Sequence, residues 1–145
     1  MRKAELAAYL AFLGVTSKLM QRHNTMPMQK PHKYHLRPGY GSEELLLEFF
    51  PDSSESQFIN DLMNTLKGIN PFVDAVEDLW MNDEIVFQVS SDVGSFVFTK
   101  DNWGFAFIMA DNNQLAIKCI NEILKSSKLF VKEEVDFEKY KDLKT

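Results

Sequence analysis

Hydrophobic side chains recur at two different periods along the chain. Over residues 55–67 and 112–126 they return at every third or fourth position, which is the spacing of an amphipathic helix. Residues 70–81 have the same spacing, and Asn70-Pro71 is typical of a helix start. The pattern therefore predicts a third helix over 70–81.

From Glu84 onward the period changes to two, which is typical of strands. We predict strands over 84–90, 95–100 and 104–109, joined by glycine-containing turns into an antiparallel meander. The fold class is therefore α+β, with N-terminal helices, then the β-meander, then a C-terminal helix, as one layer of helices on one sheet. The predicted core contains these side chains: Phe58, Leu62, Phe72, Val76, Trp80, Phe87, Phe98, Phe107, Leu115 and Ile120.

The first 41 residues follow neither period. Leu6–Val15 is an uncharged, apolar run, which predicts either a buried helix or the apolar part of a signal peptide. Residues 18–41 contain three prolines and two glycines, which exclude a long helix. We expect an extended connector there, with a short strand near Lys33–Arg37.

Two other segments are short and polar at their ends. Ser42 is a suitable cap for a helix that would end before Pro51, but Leu45–Leu47 fits a strand equally well. Residues 129–135 predict an edge strand, and residues 138–145 predict a polar tail.

Length and composition narrow the class of protein. The chain has 145 residues, of which 45% are hydrophobic, and this is the size of a single domain with its own core. Its one cysteine, Cys119, excludes an internal disulfide. No apolar stretch reaches the ~20 residues of a membrane-spanning helix, so we expect a cytoplasmic protein that does not engage a membrane.

Charged side chains are distributed unevenly along the chain. Residues 1–40 carry seven basic side chains and one acidic one, whereas residues 41–145 carry nine basic and twenty acidic ones. The chain is therefore a basic arm on an acidic body. On the predicted helix, Asp74, Glu77 and Asp78 would lie opposite the apolar face, and Asp83 and Glu84 would continue this acidic surface. Such a surface either solvates the protein or docks a basic partner.

Few residues offer catalytic chemistry. His32 and His35 lie three positions apart. With Glu43 or Glu44 as a third ligand they are the only candidate metal group, but their spacing does not require a metal site. We expect exposed connector histidines, no metal and no cofactor. Cys119 is predicted on an apolar helix face, where a thiol packs as a small hydrophobe.

Nucleotide-binding patterns are missing from the sequence. The six glycines are single turn residues and form no P-loop or dinucleotide motif. The basic arm favours nucleic acid, but the acidic body would be repelled by phosphates, so direct nucleic-acid binding is not expected.

The part of the chain from Glu84 to Tyr140 resembles a known class of protein. Its segments EIVFQVSSDVGSFVF, NWGFAFIMADNNQLAIKCINEIL and LFVKEEVDFEKY are similar in layout to small acidic immunity proteins of bacterial contact-dependent-inhibition systems. The resemblance implies a non-catalytic α+β domain that neutralises a basic toxin, commonly a nuclease, by covering its active site. The basic first 40 residues are outside the resemblance.

Two alternatives stay open beside this interpretation. Type III secretion chaperones resemble the chain in size, charge and meander, although their usual opening helix leads straight into strands. A small enzyme of unknown reaction would have to use His32 and His35 with a nearby carboxylate. The sequence leaves a homodimer open in each case.

Overall fold

The computed structural model describes residues 30–51 and 55–141, apart from the side chain of Glu55. Within these ranges the protein is α+β, as predicted, with one seven-stranded sheet. Its elements in chain order are β1 (His32–Pro38), β2 (Leu45–Phe50), α1 (Glu55–Leu66), β3 (Phe72–Leu79), β4 (Glu84–Ser90), β5 (Phe96–Asp101), β6 (Ala106–Met109), α2 (Gln114–Lys125), β7 (Phe130–Lys132) and α3 (Glu138–Lys141).

The strands lie in the order β3-β4-β5-β6-β2-β1-β7. Every neighbouring pair is antiparallel except β1 and β7, which are parallel and pair His32 with Phe130. Strands β3 to β6 form the meander, and the β1–β2 hairpin extends it. The strand that the sequence places near Lys33–Arg37 is confirmed as β1, and Leu45–Phe50 is a strand rather than a helix.

Helices α1 and α2 cover one face of the sheet. The apolar side of α1 packs on the meander, and α2 packs over β2 and β7. The two predicted helices at 55–67 and 112–126 are thus confirmed. The apolar side of each helix packs against the apolar face of the sheet. The largest fully buried apolar side chains of this core are Tyr34, Leu47, Phe49, Phe58, Leu66, Ile108, Ile117, Ile120 and Leu124.

The helix predicted over 70–81 is wrong, since β3 occupies most of that range. Val73 pairs with Val89 and Val76 with Phe87, so both valines face the helices. A β-bulge at Asp74 places an extra residue between them, and the resulting spacing of three imitates a helical stripe. Asn70 has a left-handed conformation (φ 51°) and ends the short 3-10 turn Lys67–Ile69 instead of starting a helix.

Three predicted core residues are exposed instead. Phe72 and Trp80 are each 66% exposed, because the edge strand and its turn present them to solvent, and Leu115 is 77% exposed on the outer side of α2. Phe107 is half-buried on the sheet face opposite the helices, since it alternates with the buried Ala106 and Ile108.

Several predictions lie outside the described residues. These are the apolar run Leu6–Val15, the connector before Lys30 and the end of the tail after Lys141. In the described part of the tail, residues 138–141 form the short helix α3, and the edge strand predicted over 129–135 is confirmed at Phe130–Lys132. No helix within the described ranges is long and apolar enough to span a membrane.

Candidate functional site

The predicted acidic residues on β3 do not share one face. Asp74 is exposed at the bulge and accepts a hydrogen bond from the Ser90 hydroxyl. Glu77 is exposed on the face away from the helices, whereas Asp78 pairs with Ile85 and lies half-buried on the helix-covered side. Because strand side chains alternate, the common acidic face predicted for a helix is wrong. Asp74 and Glu77 are the two that line the open edge of the sheet.

Asp83 and Glu84 lie at the turn that follows β3. Trp80–Asn82 forms a single 3-10 turn, and Asp83 closes it in a left-handed conformation, donating its N–H to the Trp80 carbonyl at 3.2 Å. Asp83 is exposed, and Glu84 is half-buried as the first residue of β4. The structure therefore keeps these two predicted site residues beside the acidic edge strand.

A second turn joins this one at the same end of the sheet. The Asn102 N–H donates to the Asp83 carbonyl at 3.1 Å, which links the β5–β6 turn to the β3–β4 turn. The Asp101 carboxylate accepts the N–H groups of Trp103 at 2.9 Å and Phe105 at 3.0 Å. Both turns are thus held by backbone hydrogen bonds, and the β5–β6 turn also by the Asp101 carboxylate.

These turns present large apolar side chains to solvent. Trp80 is 66% exposed, Met81 80% and Trp103 74%. The chain contains only two tryptophans, and both lie here. We call the whole group the acidic-aromatic surface, and its members are Asp74, Glu77, Trp80, Met81, Asp83, Glu84, Asp101 and Trp103.

Sequence reasoning missed the aromatic half of this surface. It assigned Trp80 to the core, because a helix would have turned that side chain inward. Trp103 carried a usable signal, since it lies in the turn sequence Asp101-Asn-Trp-Gly104, where burial of a large ring is difficult. Exposed tryptophan and methionine are typical of protein-binding surfaces, where a few aromatic anchors supply most of the affinity.

The two histidines lie on opposite faces of the sheet and pair with different carboxylates. His32 is fully buried, which makes the expectation of an exposed connector histidine wrong. Its Nε2 lies 2.8 Å from Oδ2 of the equally buried Asp61, and its ring packs against Phe58 and Phe130 at 5.2 Å. This pair connects β1 to α1 beneath the helical layer. Its location in the core indicates a structural role.

His35 belongs to a charged group on the opposite face of the sheet. Its ring nitrogens lie 3.4 Å from the Glu133 carboxylate and 3.7 Å from the Glu48 carboxylate. Beside them Arg37 donates from Nε to Glu48 at 2.7 Å. The Glu133 contact holds the segment after β7 against β1, and the Glu48 contacts join β1 to β2. The carboxylates that pair with the two histidines are Asp61, Glu48 and Glu133, rather than Glu43 or Glu44 as the sequence suggested.

The Arg37 guanidinium also lies against two aromatic rings that contact each other, with ring centres 5.3 Å apart. Its carbon is 4.9 Å from the Tyr40 ring centre and 4.8 Å from that of Tyr140. Burial raises the pKa of the Tyr140 phenol, and the Arg37 charge opposes this increase. The cluster fixes α3 to the sheet, because the Gly41 N–H also donates to the Tyr140 carbonyl at 2.9 Å.

Other chemistry is sparse in the part of the chain that the structure describes. No three His, Cys, Asp or Glu side chains within residues 30–51 and 55–141 are arranged to hold a metal ion. Cys119 is a free, half-buried thiol on α2. An apolar cavity of about 30 Å³ lies between α1 and the meander, which is too small for an organic ligand.

Comparison with known proteins adds no further assignment. No protein-family model, curated protein or solved structure matches the chain. The acidic-aromatic surface therefore has to be interpreted from its own geometry.

Proposed function

We propose that this protein binds a basic protein through its acidic-aromatic surface, and that the partner is a toxin, of nuclease type, which it neutralises by covering it. The observation that carries the proposal is the juxtaposition of Trp80, Met81 and Trp103, each at least 66% exposed, with carboxylates on the same two turns. Exposed rings of this size on one small region are unusual unless a partner covers them.

The arrangement suits binding because it is held in place before a partner arrives. Asp101 fixes the backbone of Trp103, and the Asn102–Asp83 hydrogen bond fixes the two turns to each other. A surface that is already ordered loses less conformational entropy on association. The aromatic side chains would supply the apolar contact area of the interface.

The carboxylates give the surface its preference for a basic partner. Asp74, Glu77 and Asp83 are exposed, and they lie along one edge of the sheet and its turn. Opposite charges accelerate the encounter of two proteins and disfavour partners of the wrong sign. A basic nuclease has the complementary charge. A toxin covered in this way would be inactive without any chemistry from this chain.

Co-expression tests the proposal. The chain is produced together with the toxic domain encoded by the neighbouring gene, and growth and complex formation are measured. We expect the natural chain to restore growth and to co-purify with the toxin. The variant Asp74→Lys/Glu77→Lys/Asp83→Lys should lose both properties while keeping its fold.

A matched control separates the local surface from the net charge. Glu122→Lys/Glu134→Lys/Glu138→Lys changes the net charge equally but alters exposed carboxylates on α2, on α3 and before it. This control should protect cells as the natural chain does. The proposal is wrong if the natural chain neither restores growth nor forms a complex, or if both triple variants behave alike.

A further inference from the structure

We infer that the acidic-aromatic surface selects arginine side chains of its partner over lysine side chains. The inference deepens the proposed function and rests on it, because it concerns the chemistry of the same surface. It names the partner's contact group as a guanidinium that lies on an indole ring and donates to a neighbouring carboxylate.

The surface places both recognition elements on the same two turns. Trp80 and Asp83 belong to one turn and are joined by the hydrogen bond from the Asp83 N–H to the Trp80 carbonyl. Trp103 and Asp101 belong to the other turn, where the Asp101 carboxylate accepts a hydrogen bond from the backbone N–H of Trp103. Each exposed indole therefore has a carboxylate within its own turn, and Asn102 connects the two turns through Asp83.

Guanidinium chemistry fits this pairing better than ammonium chemistry. The arginine head group is planar and weakly hydrated, so it stacks on an aromatic face while its edge donates hydrogen bonds. The lysine ammonium is compact and strongly hydrated, and it loses more hydration when it approaches a ring. Tryptophan is the aromatic side chain that attracts cations most strongly.

The same chain already uses this combination within its own fold. Arg37 lies over the rings of Tyr40 and Tyr140 at 4.9 Å and 4.8 Å, and it donates to Glu48 at 2.7 Å. That arrangement is satisfied internally. At the acidic-aromatic surface the rings and carboxylates are present, but Trp80 and Trp103 remain mostly exposed.

Three blocked decapeptides of alternating sequence provide the test: arginine-glycine, lysine-glycine and citrulline-glycine. Citrulline keeps the shape of arginine without its charge. Because both tryptophans of the chain lie on this surface, their indole N–H signals in NMR report on it alone. We expect the arginine peptide to shift both signals and to bind more tightly than the lysine peptide, by at most about fivefold for each indole engaged, which is the full strength of an exposed cation–π contact.

Substitutions of the two tryptophans test whether the arginine preference depends on their aromatic faces. Trp103→Leu and Trp80→Leu keep apolar area but remove the aromatic face, and each should reduce the arginine preference measured by calorimetry. Leu115→Ala alters an exposed apolar side chain on α2 and should leave the preference unchanged. Circular dichroism of each variant confirms that it is folded.

Two results would overturn the inference. One is equal binding of the arginine and lysine peptides, which would leave charge alone as the basis of recognition and the proposed function intact. The other is the absence of any shift of the indole signals with millimolar arginine peptide. That result would also be seen if the surface bound a second copy of the chain or an apolar segment instead of arginine. The proposed function itself fails only in the separate co-expression test.

Discussion

Two regions of this protein hold carboxylates in opposite ways. At the buried junction between β1 and α1, Asp61 is fully buried and bonded to His32 at 2.8 Å. At the acidic-aromatic surface, Asp74, Glu77 and Asp83 are exposed to water. Burying a charge is costly unless it is paired, so the junction is part of the fold, whereas the fold does not depend on the exposed carboxylates.

The exposed carboxylates are therefore better candidates for function than the buried one. Ionisable groups that the core has enclosed are explained by stability. Exposed carboxylates that lie next to exposed tryptophans are not explained by stability. This contrast, rather than the number of acidic residues, directs attention to the edge of the sheet.

The largest effect is expected at the buried junction. Asp61→Ala removes the acceptor of the buried His32 ring nitrogen and should lower the free energy of unfolding by about 3–5 kcal/mol. Urea denaturation measures it. Glu138→Ala, at an exposed carboxylate, should change stability by less than about 0.5 kcal/mol. Equal losses in the two variants would show that burial does not distinguish these carboxylates.

A pair of leucines on α2 tests the same contrast with apolar groups. Leu124 is fully buried, whereas Leu115 is 77% exposed on the same helix. Leu124→Ala should cost about 2–5 kcal/mol because it leaves a cavity. Leu115→Ala should cost less than about 0.5 kcal/mol. A large loss for Leu115→Ala in thermal unfolding would mean that the outer side of α2 is covered.

The buried Tyr34 phenol makes the stability of the fold depend on pH. Burial, followed by the negative charges of Glu122 and Glu134, raises the pKa of the Tyr34 phenol above its ordinary value. The folded protein therefore keeps this phenol protonated above about pH 10, where the unfolded chain ionises it, so stability falls as pH rises further. The decrease from this group should be about 1.4 kcal/mol per pH unit.

Tyr34→Phe separates this effect from other alkaline titrations. The variant loses the hydrogen bond to the Asn121 side chain at 2.9 Å and should be less stable at neutral pH by about 1–3 kcal/mol. Its stability should then decline less steeply than that of the natural chain between pH 10 and 11. Parallel pH dependences from chemical denaturation would contradict a raised pKa at Tyr34.

Sequence patterns predicted the parts of the fold where one period persists. The apolar stripes of α1 and α2 and the alternation in β4 to β6 were sufficient, because each element packs one regular face against the core. At β3 the bulge at Asp74 breaks the alternation, and the resulting pattern is indistinguishable from a helix turn. The sequence contains no local signal for that inserted residue.

The candidate site was predictable only in its charges. Asp83 and Glu84 were assigned from the acidic sequence alone, and they lie at the turn after β3, where Asp83 is exposed and Glu84 is half-buried. That the turns of Trp80 and Trp103 lie next to each other required the structure, because they come together through the pairing of β4 with β5. His32 was misassigned for a related reason: its partner Asp61 lies 29 residues away on α1.

The smallest effect on stability is expected at the acidic-aromatic surface. Asp74→Lys/Glu77→Lys/Asp83→Lys replaces exposed side chains on the edge strand and its turn. Asp74→Lys and Glu77→Lys should each change the free energy of unfolding by less than about 0.5 kcal/mol. Asp83→Lys should cost at most about 1 kcal/mol, because lysine tolerates the left-handed backbone conformation of this position less well than aspartate. A cooperative loss of structure in this variant, seen by urea denaturation, would place these carboxylates in the fold with Asp61.

The most direct measurement is the association rate of the protein with its toxin at increasing salt concentration. If the exposed carboxylates serve a basic partner, the rate for the natural chain should fall by at least about tenfold between 50 and 500 mM salt. The Asp74→Lys/Glu77→Lys/Asp83→Lys variant should associate slowly at every salt concentration. A rate that is independent of salt and equal in the two proteins would contradict the assignment of this surface to a basic partner.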